Sequence, residues 1–402
     1  MKNSFSLFLL FLLLWSCSQQ QQQSIKLSNT TELKLKAKSL ELNREELEQK
    51  LGALPEVELA LLTDKNGTQF PAQLDDLDLD GKWDVLFSQV DFDANETKTL
   101  SLSFEAKEKI TVKTNIRFAD YDDPSKEFTT GIRLKTDKTE VTQNIFQFEG
   151  IGWENDVVAF RNYFDARNGI DIFGKTTTNM ALDSCGLKGG PTYHEMRTWG
   201  MDILKVANSL GAGALALETP TGLYRVGPNC FGTYSSIKEG PLRSLFDMDF
   251  DSLQIDGKTI QLKHRVAIEA GKPYYNSQVW IKGIDDVKLV TGIVNLHSDS
   301  VFSKTDESVS YFFTHDNQAY DGEKLGMAII VPSNNLSVQT APEEGEGITQ
   351  TFYTALEITQ QPVEFYFMVG WEKQNQVYAT KDAFEHEIKK QALALQASIK
   401  LD

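Results

Sequence analysis

Alternation of apolar and polar residues with period two recurs along almost the whole chain, and it constrains the fold more than any other feature. Residues 32–42, ELKLKAKSLEL, and 98–116, KTLSLSFEAKEKITVKTNI, alternate in this way. Residues 157–165, 242–255, 259–270, 288–297, 324–332 and 364–373 also read as strands. A strand sends successive side chains to opposite faces, so each run predicts a strand with one face buried. Turn signals such as DGK, GKP, DGEK and PSNN separate several of them. The runs are long, which suits large sheets packed face to face. Two helical stretches interrupt the pattern. Residues 43–52, NREELEQKLG, predict a short helix, and residues 381–400 predict an amphipathic one with Phe384, Ile388, Ala392, Leu395 and Ile399 on one face. The expectation is a mainly β protein with a small β unit over 27–113 and a larger β domain over 114–402.

The first seventeen residues read as an address. Lys2 precedes an apolar run from Phe5 to Trp15 that is too short to span a bilayer. It ends Leu14-Trp15-Ser16-Cys17, which matches a bacterial lipobox except for Trp15. Residues 1–17 are therefore expected to be a lipoprotein signal, with Cys17 lipidated. The glutamine-rich stretch 18–26 is expected to be a polar tether. No acidic run follows Cys17, so the expected location is periplasmic, on the outer membrane, with the lipid as the membrane contact. Cys185 and Cys230 remain, either bridged or as two isolated thiols.

The net charge is −17 over 402 residues. That excludes a general nucleic-acid binder, which needs concentrated positive charge. It also means that an anionic ligand must meet a local cluster of arginine and lysine. Asp76, Asp78, Asp80 and Asp84 have the spacing of a calcium loop with Gly81 at the turn, although Phe87 stands where an EF-hand carries glutamate. We expect at most a structural calcium ion there, and no cofactor for the chemistry. The LGAGALA segment fits a dinucleotide fingerprint only formally, lacking the strand–turn–helix context. HEMRT lacks the second histidine of a zincin, and no G-x-S-x-G occurs.

The informative region is 149–202. It gathers Trp153, Glu154, Asn155, Arg161, Arg167, Asn168, Asp171 and Lys175, then Tyr193, His194, Glu195, Arg197, Trp199 and Asp202, with Tyr224, Arg225 and His264 further on. Aromatic platforms beside arginine suit a sugar acid, since rings stack on sugar faces and the guanidinium fork binds a carboxylate. The segments GWENDVVAFRNYFDARNGIDIFGK, YHEMRTWGMDILKVANSLGAGALAL and EGPLRSLFDMDF resemble a family of secreted bacterial proteins represented by the ulvan-oligosaccharide dehydratase, within the galactose-mutarotase-like superfamily. The resemblance covers most of the chain from about residue 27.

That resemblance implies a β-supersandwich and the removal of water from a non-reducing-end uronic acid, leaving a 4,5-unsaturated uronate. The partner would be an anionic oligosaccharide. On this reading Arg161 and Arg167 neutralise the substrate carboxylate, with Asn155 as a neutral donor. Tyr193 and His194 carry the proton transfers, and Glu195 orients His194. If residues 193–194 lie on a strand, only one of them can reach the sugar, and His264 is the reserve. Trp153, Asp171, Lys175, Arg197, Trp199 and Tyr224 complete the expected cleft. A glycoside hydrolase using Glu154 with Asp171, or Glu195 with Asp202, and a non-catalytic glycan binder are the alternatives.

Overall fold

The alternating runs form four antiparallel sheets. The structure is a computed structural model describing residues 23–104, 110–133, 144–228, 230–283, 286–306, 309–332 and 336–402. The signal segment, Cys17 and residues 18–22 lie outside the described residues. No helix among the described residues is long and apolar enough to cross a membrane. The protein is mainly β, with two α-helices among the described residues.

The N-terminal unit is a seven-stranded sheet with its own core, built from Ile25, Leu27, Leu40, Leu62, Leu86, Phe92 and Leu100 among others. Its one helix, α1 (Arg44–Leu51), falls where the sequence predicts it. Asn43 caps it by accepting from the Glu45 backbone N–H at 2.8 Å, and Gly52 ends it at a φ of 84°. Two boundaries differ from expectation. The first strand, Gln23–Asn29, begins inside the stretch read as tether, because Gln23 to Ser28 pair with residues 97–102 of the neighbouring strand. The last strand, Ile399–Leu401, returns to pair with Leu27–Asn29, so the sheet is completed by the far end of the chain.

The larger domain shares one core among two five-stranded sheets and one nine-stranded sheet. Period two explains how the nine-stranded sheet is covered on both sides. Tyr275, Phe312, Ile329 and Phe367 face the common core, while Tyr274, Phe313, Ile330 and Met368 lie under the C-terminal helix. That helix, α2 (Lys381–Gln396), buries Phe384, Ile388 and Ala392. It stops before the expected residue 400 because Ile399 leaves to join the N-terminal sheet edge. Buried Arg243 joins the two units. Its guanidinium donates to Asp75 and Glu41, and Gln73 Oε1 accepts from the Leu242 and Arg243 backbone N–H groups, each at 2.9 Å.

The five-stranded sheet that matters for function runs Gly200–Asp202, Ile170–Lys175, Val158–Tyr163, Gly150–Asn155, Thr114–Arg117. Its inner face carries Ile151, Trp153, Phe160, Ile172 and Met201 into the core. The alternate residues, Glu154, Arg161, Asp171, Lys175 and Asp202, share its other face and are nonetheless buried. The irregular segment 176–199 covers them. Its Leu182, Cys185, Tyr193 and Trp199 pack on Phe148, Ala159 and Phe173.

Candidate functional site

Arg161 and Asp171 are directly opposed residues of neighbouring strands, so strand register alone sets the guanidinium against the carboxylate. The Arg161 Nη2 group donates to Asp171, to Tyr163 Oη at 2.6 Å and to Asp202 Oδ2 at 3.1 Å. Its Nη1 donates to Tyr193 Oη at 3.0 Å and to the Phe148 carbonyl at 3.3 Å. The Tyr163 hydroxyl in turn donates to Asp171 Oδ2 at 2.8 Å. His194 closes the cluster from the solvent side, with Nδ1 3.3 Å from Asp202 Oδ2. Its side chain is 51% exposed, whereas those of Arg161 and Asp202 are at 1% and 3%.

Two carboxylates facing one guanidinium leave the buried cluster with a net charge of −1. Burial, and then the neighbouring Asp202, push the Asp171 carboxyl up to about 6 against the pull of Arg161. The hydrogen bond to Asp202 raises the His194 imidazole above its ordinary value, despite partial burial and the Arg161 charge. Burial raises the Tyr193 phenol although Arg161 opposes it, so Tyr193 stays protonated at neutral pH. Burial disfavours the Arg161 cation, but Tyr163, Asp171, Tyr193 and Asp202 outweigh it.

Tyr193 and His194 line an open pocket of about 370 Å³, together with Tyr121, Phe146, Phe148, Glu149 and the glycine-rich turn 186–190. They lie in a loop, so consecutive side chains share one pocket, with ring centroids 4.4 Å apart. Two features fix that loop on the sheet. The Asp202 backbone N–H donates to the Tyr193 carbonyl at 2.8 Å. Gly200 adopts a φ of 133° and approaches so closely that a Cβ there would stand 1.8 Å from the Gly174 carbonyl oxygen. The opposite wall is strained. Phe148 and Glu149 adopt φ of 40° and 66°, a region that bulky residues rarely occupy. Gly150 follows them because a Cβ would lie 2.0 Å from the Asn162 carbonyl oxygen.

Several expected site residues prove structural. Arg161 is buried and its guanidinium is held by protein groups, so it does not fork onto a substrate carboxylate. Trp153 lies on the core face, stacked on Phe160 at 5.7 Å, because alternation turns it away from Glu154 and Arg161. Asn155 Nδ2 donates to the carbonyls of Glu269 and Lys272, and its Oδ1 accepts from the backbone N–H groups of Val157 and Val158. Lys175 Nζ is buried against Glu154 Oε2 at 2.6 Å. Glu154 also accepts from the backbone N–H groups of Ala181 and Leu182, so this pair clips the covering segment in place. His264 is buried in the nine-stranded sheet beside Ser277 Oγ, and burial lowers it to about 3, so it is no reserve base. Tyr224 donates to Asp256 Oδ1 and lies outside the pocket lining. Glu195 pairs with Arg197 on the exposed loop and not with His194. Trp199 packs on Phe173 at 6.1 Å.

Arg167 keeps 26% of its side chain exposed and, although it does not itself line the pocket, reaches it through Glu149. It pairs with Asp165 and, at 3.1 Å, with the pocket residue Glu149, and its guanidinium lies 3.8 Å from the Tyr163 ring centroid. Glu149 and Tyr163 were absent from the residues proposed from sequence. The strand over 157–165 puts Tyr163 on the same face as Arg161, which is a sequence signal for it, and Glu149 is marked only by its place directly before the strand Gly150–Asn155. Cys185 and Cys230 are buried in different clusters and are not bridged to each other. Asp76, Asp78 and Asp84 bring one oxygen each within 4.8 Å of one another. Asp80 instead accepts from the Lys82 backbone N–H.

A family model described as "Domain of unknown function (DUF4861)" matches residues 27–401. The chain belongs to the DUF4861 family. It is 23% identical over 253 residues to "Uncharacterized protein P7" of Formosa agariphila, across 59% of this chain and 62% of that protein. The chain thus matches less than two thirds of that relative's length. Among solved structures, an alpha-mannosidase from Enterococcus faecalis aligns at 10% identity with a TM-score of 0.46, covering 94% of this chain and 45% of that one. A protein in glycosyl hydrolase family 38 from the same organism aligns at 10% identity and 0.44, with coverages of 94% and 47%.

Proposed function

We propose that this DUF4861 protein is a carbon–oxygen lyase that removes water from the non-reducing-end uronic acid of an oligosaccharide, of the ulvan type, leaving a 4,5-unsaturated uronate. The observation that carries the reading is the Tyr193–His194 pair. Both side chains line one pocket, and they are wired to opposite ends of one buried cluster, Tyr193 to Arg161 and His194 to Asp202.

In a glucuronate the C5 hydrogen and the 4-hydroxyl lie on one ring face, so the acid and the base must approach from the same side. Neutral His194 takes the C5 proton, and the C–H electrons form the C4=C5 bond. The C4–O bond breaks, and Tyr193 protonates the departing hydroxide as water. Arg167 is the candidate partner for the sugar carboxylate, exchanging Glu149 for it. Arg161 acts from behind, stabilising negative charge on Tyr193 after it has donated its proton.

The hydrolase alternative needs two carboxylates across a pocket. Glu154 is buried under Lys175 and Asp171 under Arg161, which speaks against that pair. The deciding experiment incubates the protein with ulvan oligosaccharides that end in saturated uronates. The expected result is a product lighter by one water, with the ultraviolet absorbance of a conjugated double bond. Cleavage products without that absorbance, or no product at all, would refute the lyase. We further propose that Cys17 anchors the protein by lipid on the periplasmic side of the outer membrane.

A further inference from the structure

A second cleft, of about 690 Å³, opens between the strand Leu35–Asn43, the turn at Gly271–Pro273 and α2, and shares no lining residue with the Tyr193 pocket. Lys34, Lys36, Lys38, Lys272, Lys389 and Lys390 line it, and Glu387 is the one carboxylate among its lining residues. In a chain of net charge −17 this is a marked local reversal of sign. It arises from the alternation of residues 33–38, where every second residue is lysine, and from a bulge. Ala37 has a φ of 43°, and the register with the neighbouring strand shifts between Leu35 and Lys38.

The lysines are not equivalent. Lys34 and Lys36 hold Asp93 and Asp91 on the exposed rim. Lys38 Nζ reaches into the cleft wall and donates to the carbonyls of Ala394 and Leu395 at 2.8 and 3.3 Å. Lys272 Nζ donates to the Ala37 carbonyl at 2.7 Å. Both donate to carbonyls and share one neighbouring carboxylate, Glu269, whose pull burial outweighs, so both are lowered, Lys38 to about 8. Cations held partly out of water without a full counter-charge gain most from an arriving anion. Tyr274 and Tyr378 border the cleft from the core beneath α2, leaving only ring edges at its floor, and Gln374 and Gln391 add amides.

We propose that this cleft binds a polyanionic oligosaccharide, a short run of sugars bearing carboxylate or sulfate groups, as an accessory site separate from the Tyr193–His194 pocket. The choice of a sugar as ligand rests on the glycan reading above. The mixture of cation, ring and amide matches such a ligand, and the recessed shape fits a chain end better than a flat lipid surface.

The test is calorimetric titration of the full-length protein with a chondroitin sulfate tetrasaccharide at low ionic strength, with uncharged cellotetraose as the control. Wild type and His194→Ala should bind the sulfated probe equally, and neither should bind cellotetraose. Lys389→Glu/Lys390→Glu, on the exposed side of α2, should weaken binding at least about tenfold, since reversing charges at the rim removes long-range attraction. Lys36→Glu serves as a second variant, and circular dichroism confirms that each is folded. Absence of binding by the wild type would overturn the proposal. So would equal affinity in the charge-reversed variants, or loss of binding in His194→Ala. Binding to anionic phospholipid vesicles with none to the tetrasaccharide would assign the lysines to a membrane and overturn it too. The titration does not depend on turnover, so failure of the lyase reading is scored separately by the missing unsaturated product.

Discussion

Replacing Arg161 with methionine should destabilise the protein strongly and in a pH-dependent way. The guanidinium is 1% exposed and is shared by Asp171 and Asp202, themselves at 0% and 2%. Methionine keeps most of the volume but leaves two buried carboxylates with only the half-exposed His194 beside Asp202. Breaking a buried ion pair from one side costs about 3–5 kcal/mol, because the remaining charge is desolvated and unpaired. At roughly 2 °C per kcal/mol, the lower end of the scale for large domains, Tm should fall by about 6–10 °C at neutral pH.

The sign of the pH dependence follows from linkage. Burial and the neighbouring Asp202 already raise the Asp171 carboxyl to about 6 in the folded state, well above its unfolded value of about 4, and losing Arg161 removes the charge that opposes that rise. Such groups contribute stability that is present below the unfolded pKa and lost as pH rises through the folded one. The deficit against wild type should therefore be small near pH 4 and grow towards pH 8. Wild type should show a weaker trend of the same sign, since burial already pushes Asp171 up to about 6. Thermal unfolding followed by circular dichroism across this range is the assay, and adding Asp171→Asn and Asp202→Asn to the variant should recover part of the loss. A Tm within about 2 °C of wild type at pH 8, or a deficit constant across pH, would refute the argument that Arg161 is held by uncompensated buried charge.

Three further predictions follow from particular contacts. Asp202→Asn removes the partner that raises His194, so the His194 ring should titrate at lower pH by NMR, and the rising limb of the pH–rate profile should move the same way. Stability from that contact is present below the unfolded imidazole pKa and fades as pH rises through the folded value, so the variant should lose stability mainly in acid. Added calcium should raise the Tm of wild type but not of Asp84→Asn, with turnover unchanged by chelator while the protein stays folded; loss of turnover in the folded state would move the ion into the active site. Cys17→Ala should shift the protein from the membrane to the soluble fraction, and a variant that stays membrane-bound would rule out the lipid anchor.

Both helices and many strands are legible because period two and period 3.6 are local signals, whereas strands such as Val85–Phe92, Ser310–Asp316 and Thr351–Glu357 lie outside the runs read from sequence. The strand Val158–Tyr163 shows where legibility ends. Alternation correctly put Arg161 and Tyr163 on one face and Phe160 and Asn162 on the other. It did not show that Asp171 stands opposite Arg161, because register belongs to the pairing and not to either strand. From sequence Arg161 therefore looks like a ligand for a substrate carboxylate, whereas the fold itself supplies two, Asp171 and Asp202. Trp153 and Asn155 misled for a related reason: an aromatic or amide residue looks alike in sequence whether its face meets sugar or core. Residues 193–194 carried no periodicity, and the lack of a strand is what allows both to serve one pocket.

The charge arithmetic of the cluster bears directly on mechanism. With His194 neutral, Asp171 and Asp202 outnumber Arg161 by one charge in a nearly water-free site. Taking a proton from the sugar turns His194 into a cation 3.3 Å from Asp202 and restores neutrality. The protein thus favours the product of proton abstraction over its starting state. Each unit by which the His194 pKa exceeds its ordinary value corresponds to about 1.4 kcal/mol of that preference. Asp202 does not line the pocket, so it acts through His194 as a positioning residue. Asp202→Asn should accordingly lower kcat while leaving KM nearly unchanged, and a variant that raised KM with full kcat would place Asp202 in substrate binding instead.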